Sequence, residues 1–272
     1  MRLLITTIDD PMITNDYVMD VIYLINKNLK DIKIVGVIVD SSNQFTTKSL
    51  KKSIEYTIAL AIIAGLKETV KKAIKYFSFK LKKTFSKYFR SIENPSILSQ
   101  VKKFGIPVFE VKNVNSQQSI KLISSLEPDL ILNQTQVILK KKFLSMPKIG
   151  VLNRHNSLLP KYRGRLAPFW ALYNNEKFTG VTIHFVTEKI DKGNIVSQKI
   201  IPIDEKDTYA TLTEKCYKVA PGLTVEAIRK IKNGYKGIPI RNQEGSYFTT
   251  PTIKDAIRYR LAFKDRKNKN RH

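Results

Sequence analysis

Two short stretches hold residues whose types and spacing suit carbonyl chemistry. In residues 149–164, IGVLNRHNSLLPKYRG, a brief apolar run delivers Asn153 and His155. Residues two apart on a strand share a face, so an amide and an imidazole project together from its end. Such a pair suits a reaction in which a carbonyl oxygen gains negative charge while protons move nearby. An isolated N-x-H is more often a capped strand end with a structural histidine, but a second stretch alters that balance. Residues 180–195, GVTIHFVTEKIDKGNI, read as a strand with alternating Val181, Ile183 and Phe185, then a loop carrying Asp191 ahead of Gly193. A carboxylate beside a histidine orients the ring, holds its charged form or relays a proton. His184, inside the strand, reads as structural.

The elements that must position these residues follow from hydrophobic periodicity. Residues 1–8 form an apolar run closed by Asp9-Asp10-Pro11, too short for a signal core or a membrane span, hence a buried first strand. A helical face over 17–29 and a buried strand over 34–39 follow, and strand–helix–strand predicts a parallel sheet with crossover helices. The alternation resumes after Asn94-Pro95 with a helix over 96–104, a strand over 106–111, a helix over 116–126 and a strand over 129–133. A further helix runs from Asp207-Thr208 to near Gly234. No G-x-G-x-x-G follows the first strand, so a dinucleotide is not indicated.

Residues 48–90 interrupt this order. They carry twelve Lys or Arg against Glu55 and Glu68, with apolar residues mostly three or four apart from Ile54 to Tyr88. That pattern predicts one or two basic amphipathic helices, broken near Gly65. The plain reading packs the apolar stripe on the domain. The sharper one lays the helices on an anionic membrane surface. Nucleic acid ranks third, because the aromatics lie on the apolar stripe and not among the lysines.

The 272 residues bear a net charge of +25, which draws polyanions or reflects a lysine-rich composition. The single cysteine, Cys216, excludes a disulfide framework and falls at a small buried position of a helical pattern. Three scattered histidines and no C-x-x-C point away from a metal site.

Taken together, N-x-H-x-S-L-L-P-x-Y-R-G, G-V-T-I-H and D-x-G-x-I resemble the formyltransferase family that uses 10-formyltetrahydrofolate, most densely over about 94–237. The resemblance implies an α/β fold, a Rossmann-like core with a mostly parallel sheet spanning 1–237. The basic helical insertion at about 48–90 and a short C-terminal extension, 238–272, would be added to it, with a disordered end from Lys264. It implies transfer of a formyl group to an amine, with 10-formyltetrahydrofolate as co-substrate and no metal. Asn153 would hold the oxyanion, Asp191 would accept the amine proton and position His155, and His155 would protonate the departing folate nitrogen. Ile138, Leu139 and Leu144, which taken alone are simply core, would wall the folate pocket together with Val186, Thr187 and Ile190. Lys161 and Arg163, followed by Arg165, could meet acceptor phosphates or only keep their loop soluble.

For the acceptor, the reading favours an amino sugar on a nucleotide or lipid carrier, in surface glycan (lipopolysaccharide) biosynthesis. Methionyl-tRNA and the purine-pathway glycinamide ribonucleotide are the alternatives, and outside the enzymes an inactive membrane- or nucleic-acid-binding relative. Transfer RNA is disfavoured because 238–272 is too short for the barrel-like domain of tRNA-acting relatives. Pro168 also falls one residue later than in their R-G-A-A-P. The expected location is the cytoplasm, peripheral to the inner membrane surface if 48–90 binds lipid.

Overall fold

The apolar run behind Met1 forms β1 (Arg2–Thr7), and the parallel part of the sheet is laid out on either side of it. The computed structural model describes residues 1–42, 50–89, 91–240 and 245–269. After β1 come α1 (Thr14–Asn28), β2 (Lys33–Asp40), α2 (Leu50–Ala64), α3 (Leu66–Phe85), α4 (Ile97–Lys102), β3 (Val108–Val111) and α5 (Gln117–Leu126). The second half holds β4 (Leu130–Asn133), α6 (Lys141–Leu144), β5 (Gly150–His155), β6 (Arg163–Gly164), α7 (Ala167–Tyr173) and β7 (Phe178–Phe185). It ends with β8 (Ile195–Pro202), α8 (Tyr209–Lys232), β9 (Tyr247–Phe248) and α9 (Ile253–Lys269).

The main sheet has the order β3-β2-β1-β4-β5-β7-β8. Its first five strands are parallel, while β7 and β8 add antiparallel. This is the Rossmann-like, mostly parallel arrangement expected, with helices on both faces. Side-chain alternation sends Leu3 and Ile5, Leu130 and Leu132 into one core with α1 and α8. Leu4 and Ile131 go to the other face, against Ile120, Ile123 and Phe143. Continuous burial along β1 and β4 is what a sheet covered on both sides requires.

The described part of the insertion is two helices parted at Gly65, which sits at φ 81°, a left-handed conformation that glycine tolerates. Residues 48, 49 and 90 of that stretch lie outside the described residues. α2 buries Ala59 and Ile63 in the main core and packs along α9. α3 buries nothing.

The described part of the short C-terminal extension is tied to the body. β9 pairs in parallel with β6, and α9 sinks Ala256 and Tyr259 into the main core, the helix continuing to Lys269. The strand β8 has no counterpart among the expected elements, because its central Gln198 to Ile200 are exposed and obscure any clean alternation.

Candidate active site

β5 ends with the pair that opened the sequence argument. Asn153 and His155 both line a cleft of about 1000 Å³, at the carboxyl ends of β4 and β5 and beside the reversal of strand order between β1 and β4. Between them, Arg154 turns away. Its guanidinium lies 4.1 Å from the centre of the Tyr217 ring and 5.1 Å from that of Tyr17, and donates to the Tyr217 hydroxyl at 2.8 Å.

Strand register sets a row of polar side chains across the sheet. Asn133 on β4 stands opposite Asn153 on β5, which stands opposite His184 on β7. Residues opposite one another share a face, and all three line the cleft. The Asn133 side-chain amide oxygen, Oδ1, accepts from the Thr6 hydroxyl at 2.9 Å and the Thr135 hydroxyl at 2.8 Å, which fixes the amide's orientation.

Asp191 closes the site from the loop after β7. One oxygen, Oδ2, accepts the Gly164 N–H at 2.8 Å and lies 3.6 Å from His155 Nδ1. The other, Oδ1, lies 3.6 Å from His184 Nε2. A single carboxylate is therefore shared by two imidazoles. Two glycines make this possible. A Cβ on Gly164, at φ 97°, would stand 2.1 Å from the Phe248 carbonyl oxygen, and one on Gly193 would stand 1.8 Å from that of Phe185. Any side chain at either position would push the loop away from the carboxylate.

The two histidines are in different states of engagement. His155 Nε2 is 2.7 Å from the Tyr162 carbonyl oxygen, which can only accept, so Nε2 carries hydrogen and Nδ1 faces Asp191. His184 Nδ1 likewise donates to the Phe185 carbonyl at 2.8 Å, leaving Nε2 buried without a hydrogen-bond partner. Burial pushes the His184 imidazole down to about 4; His155 adds to the effect and Asp191 opposes it. His184 is thus neutral near pH 7 and offers a lone pair toward the carboxylate. Although read from the sequence as structural, His184 lines the cleft beside Asp191.

Of the residues expected around the folate, Ile138, Leu139, Val186, Thr187 and Ile190 line the same cleft as Asn153, His155 and Asp191. Leu144 does not. It ends α6 and packs partly buried against the Phe143 side of the core, because α6 turns back onto the sheet. Of the two residues expected at the acceptor, Lys161 is mostly exposed and 4.0 Å from Glu176, and Arg163 is held in β6; neither lines the cleft. Arg165 does, together with Tyr56 of α2 and residues 247 and 249–254 of the extension. A second cleft of about 620 Å³ shares Tyr56, Gln136, His155, Gly164 and Arg165 with the first and adds Arg154 and Lys72. His155 and Arg165 therefore stand where two clefts meet. The walls from α2 and the extension were not foreseeable from local patterns, since they come from segments far apart in the chain.

Fold and site together define an α/β domain of the doubly wound kind. Its polar cluster of Asn153, His155, His184 and Asp191 sits at the strand ends in the larger cleft, where His155 also borders the smaller one. A family model described as formyl transferase matches residues 20–228, and the chain belongs to that family. It is 41% identical over 172 residues to the bifunctional polymyxin resistance protein ArnA of Wigglesworthia glossinidia brevipalpis, covering 62% of this chain and 26% of that protein. It is 37% identical over 166 residues to the methionyl-tRNA formyltransferase of Thermodesulfovibrio yellowstonii, covering 61% of this chain and 53% of that one. The chain thus spans about half or less of the length of these relatives. Among solved structures, glycinamide ribonucleotide transformylase 1 of Symbiobacterium toebii superposes with a TM-score of 0.61 at 17% identity, covering 89% of this chain and 94% of that one. A sugar N-formyltransferase from a Shewanella species gives 0.59 at 16% identity, covering 95% and 86%. At such identities these two speak for the fold.

Proposed function

We propose that this protein transfers a formyl group from 10-formyltetrahydrofolate to the amine of an amino sugar carried on a phosphate-containing nucleotide or lipid. The observation that carries this reading is the meeting of two clefts at His155, with Asn153 and Asp191 beside it in the larger one. A two-substrate transfer needs its donor and acceptor to approach from different directions onto one set of groups. The larger cleft, walled by Ile138, Leu139, Val186 and Ile190, has the size and apolar lining for a pterin-bearing donor. A relative in the family, a sugar 3N-formyl transferase, was solved with 5-N-formyl-THF and dTDP. The smaller cleft, with Arg154, Arg165 and Lys72, suits a phosphate-bearing acceptor.

In this reading the amine attacks the formyl carbon and a tetrahedral species forms, its oxygen carrying negative charge. The Asn153 amide donates to that oxygen, a contribution of roughly 3 kcal/mol for one well-placed donor. Asp191, held by the Gly164 N–H, accepts the proton that the amine sheds. Asp191 passes that proton to His155 Nδ1. The ring, once it leaves the Tyr162 carbonyl, gives its Nε2 proton to the folate nitrogen as the bond from that nitrogen to the formyl carbon breaks, which returns His155 to its neutral form. His184, held neutral by burial, places no positive charge on the far side of Asp191.

Methionyl-tRNA is the second reading, favoured by the identity to relatives of that name. The acceptor cleft argues for a small substrate, since α2, residues 165–168 and α8 enclose it on several sides. Incubating the protein with labelled formyl donor and nucleotide-linked amino sugars, lipid-linked amino sugars, charged tRNA and glycinamide ribonucleotide side by side tests the assignment. Label on an amino sugar is expected. Label on charged tRNA alone would transfer the assignment to the second reading.

A further inference from the structure

The helix α3 is docked the wrong way round for a packed amphipathic helix. Its apolar stripe, Leu66, Val70, Ile74, Phe77, Leu81 and Phe85, recurs at helical spacing, yet it faces away from the body. Leu66 is 81% exposed, Ile74 64% and Phe77 65%. The opposite face holds the helix to the domain by polar contacts. Lys83 pairs with Asp9 at 2.5 Å, and Lys75 reaches Asp16 at 3.8 Å and donates to the Met12 carbonyl at 3.1 Å. A groove of about 430 Å³ separates this face from α1 and α8. The plain expectation, that the stripe packs on the core, therefore fails for α3 and holds only in part for α2, which buries Ala59 and Ile63 but leaves Ile54 and Ile58 exposed.

We propose that α3 is an interfacial helix that lies on an anionic lipid surface. On a helical projection, Lys67, Lys71 and Lys82 flank the stripe on one side and Lys80 on the other, all exposed. α3 contains seven lysines and one glutamate, so its outward half presents apolar side chains bordered by positive charge. That is the order a bilayer surface reads: rings and aliphatics below the headgroups, ammonium groups among the phosphates. A second copy of the chain would bring like charges together along both borders, which argues against self-association through this face. Among the described residues no helix is long and apolar enough to cross a membrane, so the contact would be one of lying on the surface. The inner face of the same helix contributes Thr69 and Lys72 to the smaller cleft. A seated α3 would thus hold that cleft beside the headgroups. The proposal rests on α3 alone and stands or falls independently of the acceptor.

The test is flotation of the full chain with vesicles of phosphatidylcholine alone, or with about three-tenths phosphatidylglycerol. At least about tenfold greater recovery with the anionic vesicles is expected, reversed by high salt. The double variant I74S/F77S should lose about tenfold of that recovery with unchanged thermal unfolding, since both side chains point into solvent. Failure to float with either vesicle, or equal and salt-insensitive recovery with both, would overturn the proposal. So would a wild-type dimer in light scattering that I74S/F77S converts to monomer, which would make a second copy the occupant.

Discussion

At the scale of single residues, the site's defining geometry is one carboxylate placed between two imidazoles. Replacing Asn153, His155 or Asp191 by alanine is expected to lower the rate of formyl transfer by roughly 10²–10³ each in single-turnover assays, with the fold retained. Near-wild-type turnover in the His155 variant would remove it from the mechanism. His184 permits a test that does not depend on turnover. Its folded-state pKa is depressed from 6.5 to about 4, so the folded protein binds fewer protons than the unfolded chain between those values. Its contribution is therefore present above about pH 6.5 and lost as pH falls toward 4, by about 3 kcal/mol in total. Urea unfolding of the wild type against His184→Gln at pH 7 and pH 5 measures this, and the variant should show the smaller fall. An equal fall in both would mean that the ring is not held neutral. Asn153 and His155 were legible because a period of two is a local property. His184 was not, because what makes it a site residue is its pairing opposite Asn153, a relation between two strands that no window of sequence contains.

At the scale of elements, two segments that looked like additions turn out to support each other. α2 and α9 lie along one another, and the extension threads β9 beside the Arg163–Gly164 strand that holds Asp191. Tyr259 is the main anchor: 1% exposed, with its ring centre 5.4 Å from that of Phe169 and its hydroxyl accepting the Tyr209 N–H at 3.1 Å. Tyr259→Ala should cost roughly 3–5 kcal/mol in denaturant unfolding, the range for emptying a large aromatic site. A loss below about 1 kcal/mol would show that α9 is only loosely seated. Sequence reading expects a basic helix to Arg260 but not its seat on the core, because among its described side chains only Ala256 and Tyr259 are fully buried, in a stretch otherwise rich in charge. The parallel sheet, by contrast, was legible, since β1, β2 and β4 are covered on both faces and so read as near-continuous apolar runs. Leu144 was misplaced because apolar identity alone does not say whether a short helix faces a pocket or the sheet.

At the scale of the whole molecule, the charge of +25 is partly explained by local structure and partly left to the field it creates. Lys75 and Lys83 hold α3 to the domain and Arg154 stacks between tyrosines, so these charges have structural uses. The remainder makes the surface positive, and a cleft lined by Arg154, Arg165 and Lys72 concentrates that field toward an incoming anion. If the acceptor carries phosphate, its capture should be steered and hence salt-sensitive. Raising ionic strength from about 0.05 to about 0.3 M shortens the screening length from about 14 to about 6 Å. The expected result is a severalfold fall in kcat/KM for a phosphate-bearing amino sugar, against less than about a twofold change for the same sugar without phosphate. Arg165→Ala should flatten the first curve, whereas Lys161→Ala, outside both clefts, should leave it unchanged. Equal salt dependence for both sugars would mean that the positive cleft takes no part in choosing the acceptor, and the charge would then belong to the surface alone.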